Sequence, residues 1–449
     1  MSKWKKLNKM LVLCLLSLCF SLLLNGCMLK PVEDLYTLPR QSDAYYNLQA
    51  EIEKVITGNV EYCAPSSGEN RQPLQMADLN GDGTDEAIVY ARDDSDKPLK
   101  IFIFSRTGDS FELTSTIPGV GTSFDSVSYV QVDGSPGLEI LVGRSISEQV
   151  IKSISVYHFQ GNSTVELMAA NYSTYTVFDL DADGRQDLFL IRFEAETQTG
   201  AVELYRYTDG MMDRDPEQRL SGGITSVRRV ITGYASEGVP AVFVAGTLDE
   251  NLIRTDVFAI RDGTLQNILP VEEADSLTVR NYYVYSSDID NDGLTELPEV
   301  SALPKADGQE DGPVYRLIHW YNLHPDGSKE YKMLTYHDYS QGFYVELNSM
   351  WKGNITITRD DSVEEGTSYR FCRFMGVGKQ EEEIFTVYLF SGDHRTELSA
   401  QDGRFLLADK NDVTFAASIG DSLWARGLTE DMLRDSFRFI SIDWKSGEM

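Results

Sequence analysis

Basic residues are scarce in this chain. Its 449 residues include 40 Lys and Arg against 70 Asp and Glu, so the formal net charge is −30. A nucleic-acid-binding protein of the usual kind needs a surplus of cations to displace counterions from phosphate. The deficit therefore excludes nucleic acid as a partner. A hydrophobic fraction of 42% excludes disorder of the whole chain, and the 23 Tyr and 20 Phe favour β structure over helical bundles.

The sequence also lacks the common catalytic motifs. It contains no Gly-x-Ser-x-Gly, His-Glu-x-x-His or Cys-x-x-Cys pattern and no phosphate-binding loop. His319 and His324 flank two aromatic residues, but five positions apart on a strand they point to opposite faces. We therefore predict that the chain is not an enzyme. The alternative is a surface hydrolase that acts on polysaccharide or peptide, because acidic residues are abundant enough to supply paired carboxylates.

The N-terminal apolar stretch is too short to span a membrane. The apolar stretch 11–24 is shorter than the roughly 20 residues that a bilayer-spanning helix needs, and it follows four lysines, so it predicts a secretory signal. It ends in Leu24-Asn25-Gly26-Cys27, which resembles the bacterial lipobox. The resemblance implies cleavage after residue 26, lipid on Cys27 and a protein held on the extracytoplasmic face of the cell membrane. An ordinary signal peptide or an uncleaved anchor is the alternative.

Cysteines are few as well. Of the five, Cys14 and Cys19 leave with the signal, and Cys27 would carry the lipid. Cys63 and Cys372 remain. An exported protein can keep a disulfide, so a bond between these two is one alternative, and two free thiols are the other.

Three nine-residue segments share one pattern, and we call them acidic loops 1 (78–86), 2 (179–187) and 3 (288–296). Each has oxygen-bearing side chains at positions 1, 3, 5 and 9 and glycine at position 6, and a strand-like run follows. Ca²⁺ takes about six to eight oxygen ligands and tolerates irregular geometry, so alternate side chains of one tight loop suit it. The pattern predicts up to three structural calcium sites. The predicted ligands, with position 7 contributing its carbonyl oxygen, are Asp78, Asn80, Asp82, Thr84, Glu86, Asp179, Asp181, Asp183, Arg185, Asp187, Asp288, Asp290, Asp292, Leu294 and Glu296.

The acidic loops alternate with degenerate copies. Segments 130–142 and 231–244 keep the strand–turn–strand pattern but lack most of the ligands. Each copy is followed by a turn with the Gly, Asn or Asp residues typical of hairpins, at 107–109, 161–162, 209–210, 262–263 and 325–327. Five repeats of about 50 residues, with four strands each, predict a β-propeller.

These loops resemble the FG-GAP or VCBS repeats of integrin α-subunits and of many secreted bacterial proteins, and the layout resembles lipoproteins of low-GC Gram-positive bacteria. The resemblance implies a mainly β fold, a propeller of five to seven four-stranded blades with calcium between the first two strands of some blades. It also implies a role in adhesion or ligand binding.

The predicted organisation has five parts. They are a signal peptide (1–26), a tether (27–41), an amphipathic helix with a lead-in (42–69), the propeller (70–340) and a small α+β domain, or divergent blades (341–449). The predicted function is that of a calcium-binding, lipid-anchored surface module for adhesion, binding or scaffolding. Its expected partners are the membrane, through Cys27, and a cell-wall glycan or surface protein.

Overall fold

The computed structural model describes residues 43–146, 152–248, 252–269, 277–306, 311–376 and 378–440. The predicted signal peptide, Cys27 and the tether lie outside these residues. Within them the chain is mainly β, as predicted, and its strands form six antiparallel sheets. None of the helices described is long and apolar enough to cross a bilayer.

The first three sheets are built from consecutive strands. Sheet 1 contains β1 (Glu61–Tyr62), β2 (Leu74–Ala77), β3 (Glu86–Arg92), β4 (Leu99–Thr107) and β5 (Ser110–Gly119). Sheet 2 contains β6 (Ser123–Val130), β7 (Glu139–Ser145), β8 (Lys152–Gln160) and β9 (Ser163–Tyr172). Sheet 3 contains β10 (Thr174–Phe178), β11 (Asp187–Glu194), β12 (Thr199–Thr208), β13 (Met211–Arg214) and β14 (Gln218–Arg219).

The last three sheets continue the series, with one strand returning from the C-terminus. Sheet 4 contains β15 (Ser226–Ser236), β16 (Val239–Thr247), β17 (Ile253–Arg261) and β18 (Thr264–Asn267). Sheet 5 contains β19 (Leu297–Ala302), β20 (Arg316–Leu323), β21 (Lys329–Asp338), β22 (Phe343–Leu347) and β28 (Phe437–Phe439). Sheet 6 contains β23 (Ile355–Asp360), β24 (Gly366–Arg373), β25 (Glu382–Ser391), β26 (Phe405–Lys410) and β27 (Val413–Ile419).

All five predicted hairpin turns are confirmed. Each joins two consecutive antiparallel strands of one sheet; at the first, Gly108 has φ +62°, and at the third, Asp209 has φ +52°. Glycine and aspartate tolerate this left-handed conformation, which is why the turn residues predicted these positions.

The sheets pack face to face in chain order. A hydrophobic core fills each of the five junctions, and representative pairs are Tyr90 with Phe124, Leu141 with Leu190, Phe189 with Phe258, Phe243 with Tyr321, and Tyr336 with Phe371. Aliphatic side chains make up most of the first four cores, and aromatic rings are most numerous in the core between sheets 5 and 6.

The two outermost faces of this series are covered by helices. Helix α1 (Asp43–Val55) lays Ala44, Leu48 and Ile52 on the outer face of sheet 1. It was predicted at this position, although Tyr45, expected on its apolar face, is 45% exposed. Helix α2 (Arg395–Leu398) places Leu398 on the outer face of sheet 6.

The predicted propeller is not seen as a closed ring. Among the described residues, no core joins sheet 6 to sheet 1, because α1 and α2 occupy the faces that would meet. The described chain therefore forms an open series of six sheets, one more than the five repeats legible in the sequence.

Sheet 5 crosses the position where the sequence placed a domain boundary. Strand β22 follows residue 340 and pairs with β21, and β28 then pairs with β22. One core cluster contains Tyr336 from before this position and Phe371 and Phe437 from after it. Helix α3 (Glu430–Ser436) leads into β28, and its cap, Thr429, accepts a hydrogen bond from the Met432 amide, as expected for a helix beginning there.

Candidate metal centres

The three acidic loops have nearly identical backbone conformations. In each, the glycine at position 6 has a positive φ: +83° at Gly83, +88° at Gly184 and +88° at Gly293. The amide of this glycine donates to the carboxylate at position 1, over 2.8 to 3.0 Å. The sharp turn predicted from glycine is therefore present.

Position 4 of each loop is also left-handed. The residues there are Gly81 (φ +73°), Ala182 (φ +58°) and Asn291 (φ +61°). Gly81 needs to be glycine because a Cβ would approach Pro136 of the neighbouring loop to 2.5 Å. The sequence alone did not indicate this second turn position, because only one of the three residues is glycine.

The acid at position 9 is buried in every loop. Glu86, Asp187 and Glu296 are at most 3% exposed, and each accepts a hydrogen bond from the backbone amide at position 2, over 2.9 to 3.0 Å. Burial, together with the nearby carboxylates of its own loop, raises the pKa of Asp187 to about 7 and that of Glu296 to about 7. A buried carboxylate with this environment is stabilised in its charged form by a cation.

Acidic loops 2 and 3 bring three carboxylates together. One oxygen each from Asp179, Asp181 and Asp187 lie within 4.8 Å of one another, and the same holds for Asp288, Asp290 and Glu296. These all-oxygen sets fit the preference of Ca²⁺.

Acidic loop 1 differs at position 3. Asn80 donates its amide to Glu86 Oε1 over 2.8 Å, while its own carbonyl oxygen accepts from the Asp82 amide. An amide thus takes the place of the third carboxylate. The loop keeps the same fold with fewer charges to neutralise.

Basic side chains already contact two of the loops. In acidic loop 2, Arg185 pairs with Asp183, and Arg206 Nη1 lies 3.3 Å from Asp181 Oδ2. In acidic loop 3, Lys332 Nζ lies 3.5 Å from Asp292 Oδ2. The position-5 carboxylates of these two loops, Asp183 and Asp292, therefore form ion pairs within the protein. At Arg185, where only the carbonyl oxygen was predicted to take part, the side chain contacts the loop as well.

The degenerate 131–139 loop retains more of the pattern than its sequence indicated. Glu139 is fully buried and accepts from the Val132 amide over 2.9 Å, as position 9 does elsewhere. His158 Nδ1 lies 2.9 Å from Glu139 Oε1 and 3.1 Å from Asp133 Oδ2. The segment was predicted to lack most of the ligands, and the third member of this cluster, His158, comes from β8, outside the segment.

Sequence reasoning missed the residue that lies opposite position 9 on the adjacent strand. The strand registers place His158 beside Glu139, Arg206 beside Asp187 and Asn322 beside Glu296. Asn322 donates to Glu296 Oε1 over 2.6 Å. A signal was available: once the four-stranded repeat is assigned, antiparallel pairing fixes which residue lies across from each loop acid.

The loops lie along one edge of the sheet series. The Leu138 amide donates to the Asp78 carbonyl, the Gln186 amide to the Gln131 carbonyl and the Thr295 amide to the Tyr234 carbonyl. These contacts connect loops of neighbouring sheets, so the acidic side chains are concentrated at this edge.

Two large cavities lie at the opposite ends of the strands. The tyrosine cavity, of about 550 Å³, is lined by Tyr282, Tyr283, Tyr315, Tyr336 and Tyr339, with Arg316 and Asp338. The charged cavity, of about 540 Å³, includes Lys152, Arg192, Glu194, Glu217 and Arg219. His319 and His324 contribute to neither: His319 contacts Lys352, and His324 contacts Glu330, so the two do not form a pair.

Comparison with known proteins gives only distant structural neighbours. No family model matches the chain, and no curated protein matches it. The exotype rhamnogalacturonan lyase YesX is 11% identical with a TM-score of 0.29, over 65% of this chain and 64% of that one. The rhamnogalacturonan lyase YesW is 10% identical with a TM-score of 0.30, over 72% and 83%. A rhamnogalacturonan lyase from Bacillus licheniformis is 11% identical with a TM-score of 0.28, over 70% of each chain.

The match spans slightly less than two thirds of the YesX chain. TM-scores this low assign neither a fold family nor an activity to this protein. The neighbours nevertheless contradict the prediction that the chain is not an enzyme, since the three named above are rhamnogalacturonan lyases. That prediction is withdrawn.

Cys63 and Cys372 are free thiols. Cys63 directly follows β1 of sheet 1, and Cys372 lies in β24 of sheet 6. Burial raises the pKa of Cys372 to about 12. A thiol with so high a pKa is unreactive at neutral pH, which is consistent with a packing role.

Proposed function

We propose that this chain is a lipid-anchored, extracytoplasmic protein that binds polysaccharide, with calcium in its acidic loops stabilising the sheets. The observation that carries the proposal is the separation of two kinds of site. Acidic loops lie at one edge, and cavities of ligand size lie at the opposite strand ends. Pockets of about 300 to 1,000 Å³ are typical of small-ligand and subsite binding.

Calcium is the metal that the donor sets favour. The clusters in acidic loops 2 and 3 offer only carboxylate oxygens, with no sulfur or nitrogen ligand that would select a softer metal. The regularity of the three loops supports our proposal that they are FG-GAP or VCBS repeats and that each sheet corresponds to a propeller-like blade.

Polysaccharide cleavage is the second candidate. The charged cavity favours it, because Glu194 and Glu217 both line it and carboxylates are the acid–base groups of most glycosidases. Glu217 is held by Arg192 over 2.7 Å, and Arg192 also binds the buried Glu203.

The proposal is tested by incubating the full chain with neutral and uronate-containing polysaccharides, with calcium and with chelator. Binding is measured by affinity electrophoresis and cleavage by the release of new chain ends. We expect retention by at least one polysaccharide and a higher melting temperature with calcium. Retention by none of them, with calcium present, would contradict polysaccharide binding; an unchanged melting temperature would contradict the calcium sites.

A further inference from the structure

The tyrosine cavity is built from segments that are distant in sequence. Tyr282 and Tyr283 precede acidic loop 3, Tyr315 and Arg316 lie where β20 begins, and Tyr336 to Ser340 lie where β21 ends. Five of its lining residues are tyrosines. Such a concentration at one cavity is not required by the sheet core, which uses mostly Phe, Ile, Leu and Val.

The rings are held in place by one another. Tyr282 and Tyr339 meet edge to face with centroids 5.6 Å apart, and the Arg316 guanidinium lies 5.5 Å from the centroid of Tyr282. Tyr315 packs on Tyr336 at 6.2 Å. Because tyrosine has only two side-chain torsions, rings fixed in this way contact a ligand at low entropic cost.

The exposed fraction of the lining side chains increases from the floor of the cavity to its rim. Tyr336 is 3% exposed, whereas Tyr283 is 48% exposed and Val314, the one aliphatic side chain, is 42% exposed. A ligand in the cavity would therefore contact a buried tyrosine at the floor and exposed side chains at the rim.

The charges of the cavity balance. Arg316 is the one Arg or Lys among the lining residues, and Asp338 is the one carboxylate. His337 also lines the cavity, and burial lowers its pKa to about 3, so the imidazole is neutral. Asp338 Oδ1 already accepts from Ser340 Oγ and from the Gln341 amide. This balance argues against a strongly charged ligand, and the shortage of aliphatic side chains argues against a lipid.

We infer that the tyrosine cavity binds an uncharged saccharide unit. A pyranose ring has apolar C–H faces that pack on aromatic rings and a hydroxyl periphery that hydrogen-bonds to tyrosine hydroxyls and to a guanidinium. This inference rests on the proposed polysaccharide-binding function and names the part of the surface that performs it. The acidic loops and the charged cavity take no part in this contact.

The test compares two cavity variants with a matched control in the full chain. Tyr283→Ala and Tyr315→Ala each remove one ring from the cavity. Tyr62→Ala removes a tyrosine that is 51% exposed on β1, outside the cavity. Affinities for neutral and uronate-containing oligosaccharides are measured by calorimetric titration, and melting temperatures confirm that each variant is folded.

We expect about tenfold or greater loss of affinity for a neutral oligosaccharide in both cavity variants, and none in Tyr62→Ala. Wild-type affinity in folded cavity variants would overturn the inference and leave the proposed function standing. Binding of uronate-containing oligosaccharides alone would also overturn it and would direct attention to the charged cavity. No binding of any saccharide by the wild type would overturn the proposed function itself.

Discussion

At the scale of single residues, the acid that ends each loop is the most regular feature of the molecule. Glu86, Glu139, Asp187 and Glu296 are all buried, and each accepts an amide hydrogen bond from seven residues earlier. This acid therefore shapes its loop whether or not a metal binds there. What varies is the group that faces it: an amide, an imidazole or a guanidinium.

Because the groups around the loop acid differ, we expect alanine substitutions in acidic loop 3 and in the 131–139 loop to respond differently to calcium. Asp290→Ala removes an oxygen from an all-carboxylate set and should abolish the stabilisation by calcium at that loop, roughly 3 kcal/mol at a hundredfold excess over Kd. Asp133→Ala removes a partner of His158 and should lower stability equally with calcium and with chelator. Differential scanning calorimetry in both conditions measures this. An equal loss of the calcium response in the two variants would contradict the assignment.

The raised pKa values of Asp187 and Glu296 predict how stability depends on pH. In the presence of chelator, both carboxyls are protonated in the folded protein up to about pH 7, but only up to about pH 4 in the unfolded chain. The contribution of these two carboxyls to the free energy of unfolding is therefore complete below about pH 4, and it is lost as the pH rises toward 7. One pKa unit is about 1.4 kcal/mol, so the two raised pKa values together correspond to at most about 8 kcal/mol.

We expect the melting temperature with chelator to fall as the pH rises between about 5 and 8, and calcium to remove much of this fall, because it binds the ionised form. Glu296→Gln should reduce the slope, while Glu112→Gln, an exposed acid on β5 outside the loops, should not. A slope unchanged by Glu296→Gln would show that this carboxyl does not titrate as described.

At the scale of elements, the sequence predicted those turns and loops whose conformation depends on a few neighbouring residues. Hairpin turns such as Asp209-Gly210 and the position-6 glycines follow from the backbone freedom of single residues, and both are confirmed. The return of β28 to sheet 5 could not be predicted, because the pairing of Phe439 with Phe343 joins residues far apart in sequence. His158 was missed because it lies on β8, outside the 131–139 segment itself, although the pairing of β7 with β8 brings it beside Glu139.

The pairing of β22 with β28 determines whether a fragment that ends at residue 340 can fold. The sequence predicts that residues 28–340 fold alone, but such a fragment lacks both strands and leaves Tyr336 without Phe343 and Phe371. We expect it to be unstable in a chemical denaturation experiment. Phe437→Ala in the full chain should cost about 3 to 5 kcal/mol, because this ring stacks on Phe343.

Met432→Ala is the control for this substitution, since Met432 is 53% exposed on the adjacent helix. It should change stability little. A soluble, cooperatively unfolding 28–340 fragment would favour the boundary predicted from the sequence over the continuity of sheet 5.

At the scale of the whole molecule, charge and layout act together. A net charge of −30 makes anionic surfaces repel this protein, and the acidic loops concentrate part of that charge at one edge. Calcium bound there would lower the repulsion between neighbouring sheets. The strand ends that hold the cavities would remain available to a ligand.

Attachment to a membrane must overcome the same charge. Electrostatic adsorption to anionic lipid is excluded for so acidic a chain, and a single acyl chain gives only marginal binding, so stable anchoring requires two. The resemblance of residues 24–27 to the lipobox implies such an anchor, and we predict that Cys27 carries diacylglycerol and that residues 1–26 are absent from the mature protein. Mass spectrometry of the membrane fraction should find a lipid-modified N-terminal peptide beginning at Cys27, and Cys27→Ser should fail to acquire the lipid. Detection of Met1 on the mature chain, or equal release of wild type and Cys27→Ser into the medium, would contradict the lipid anchor.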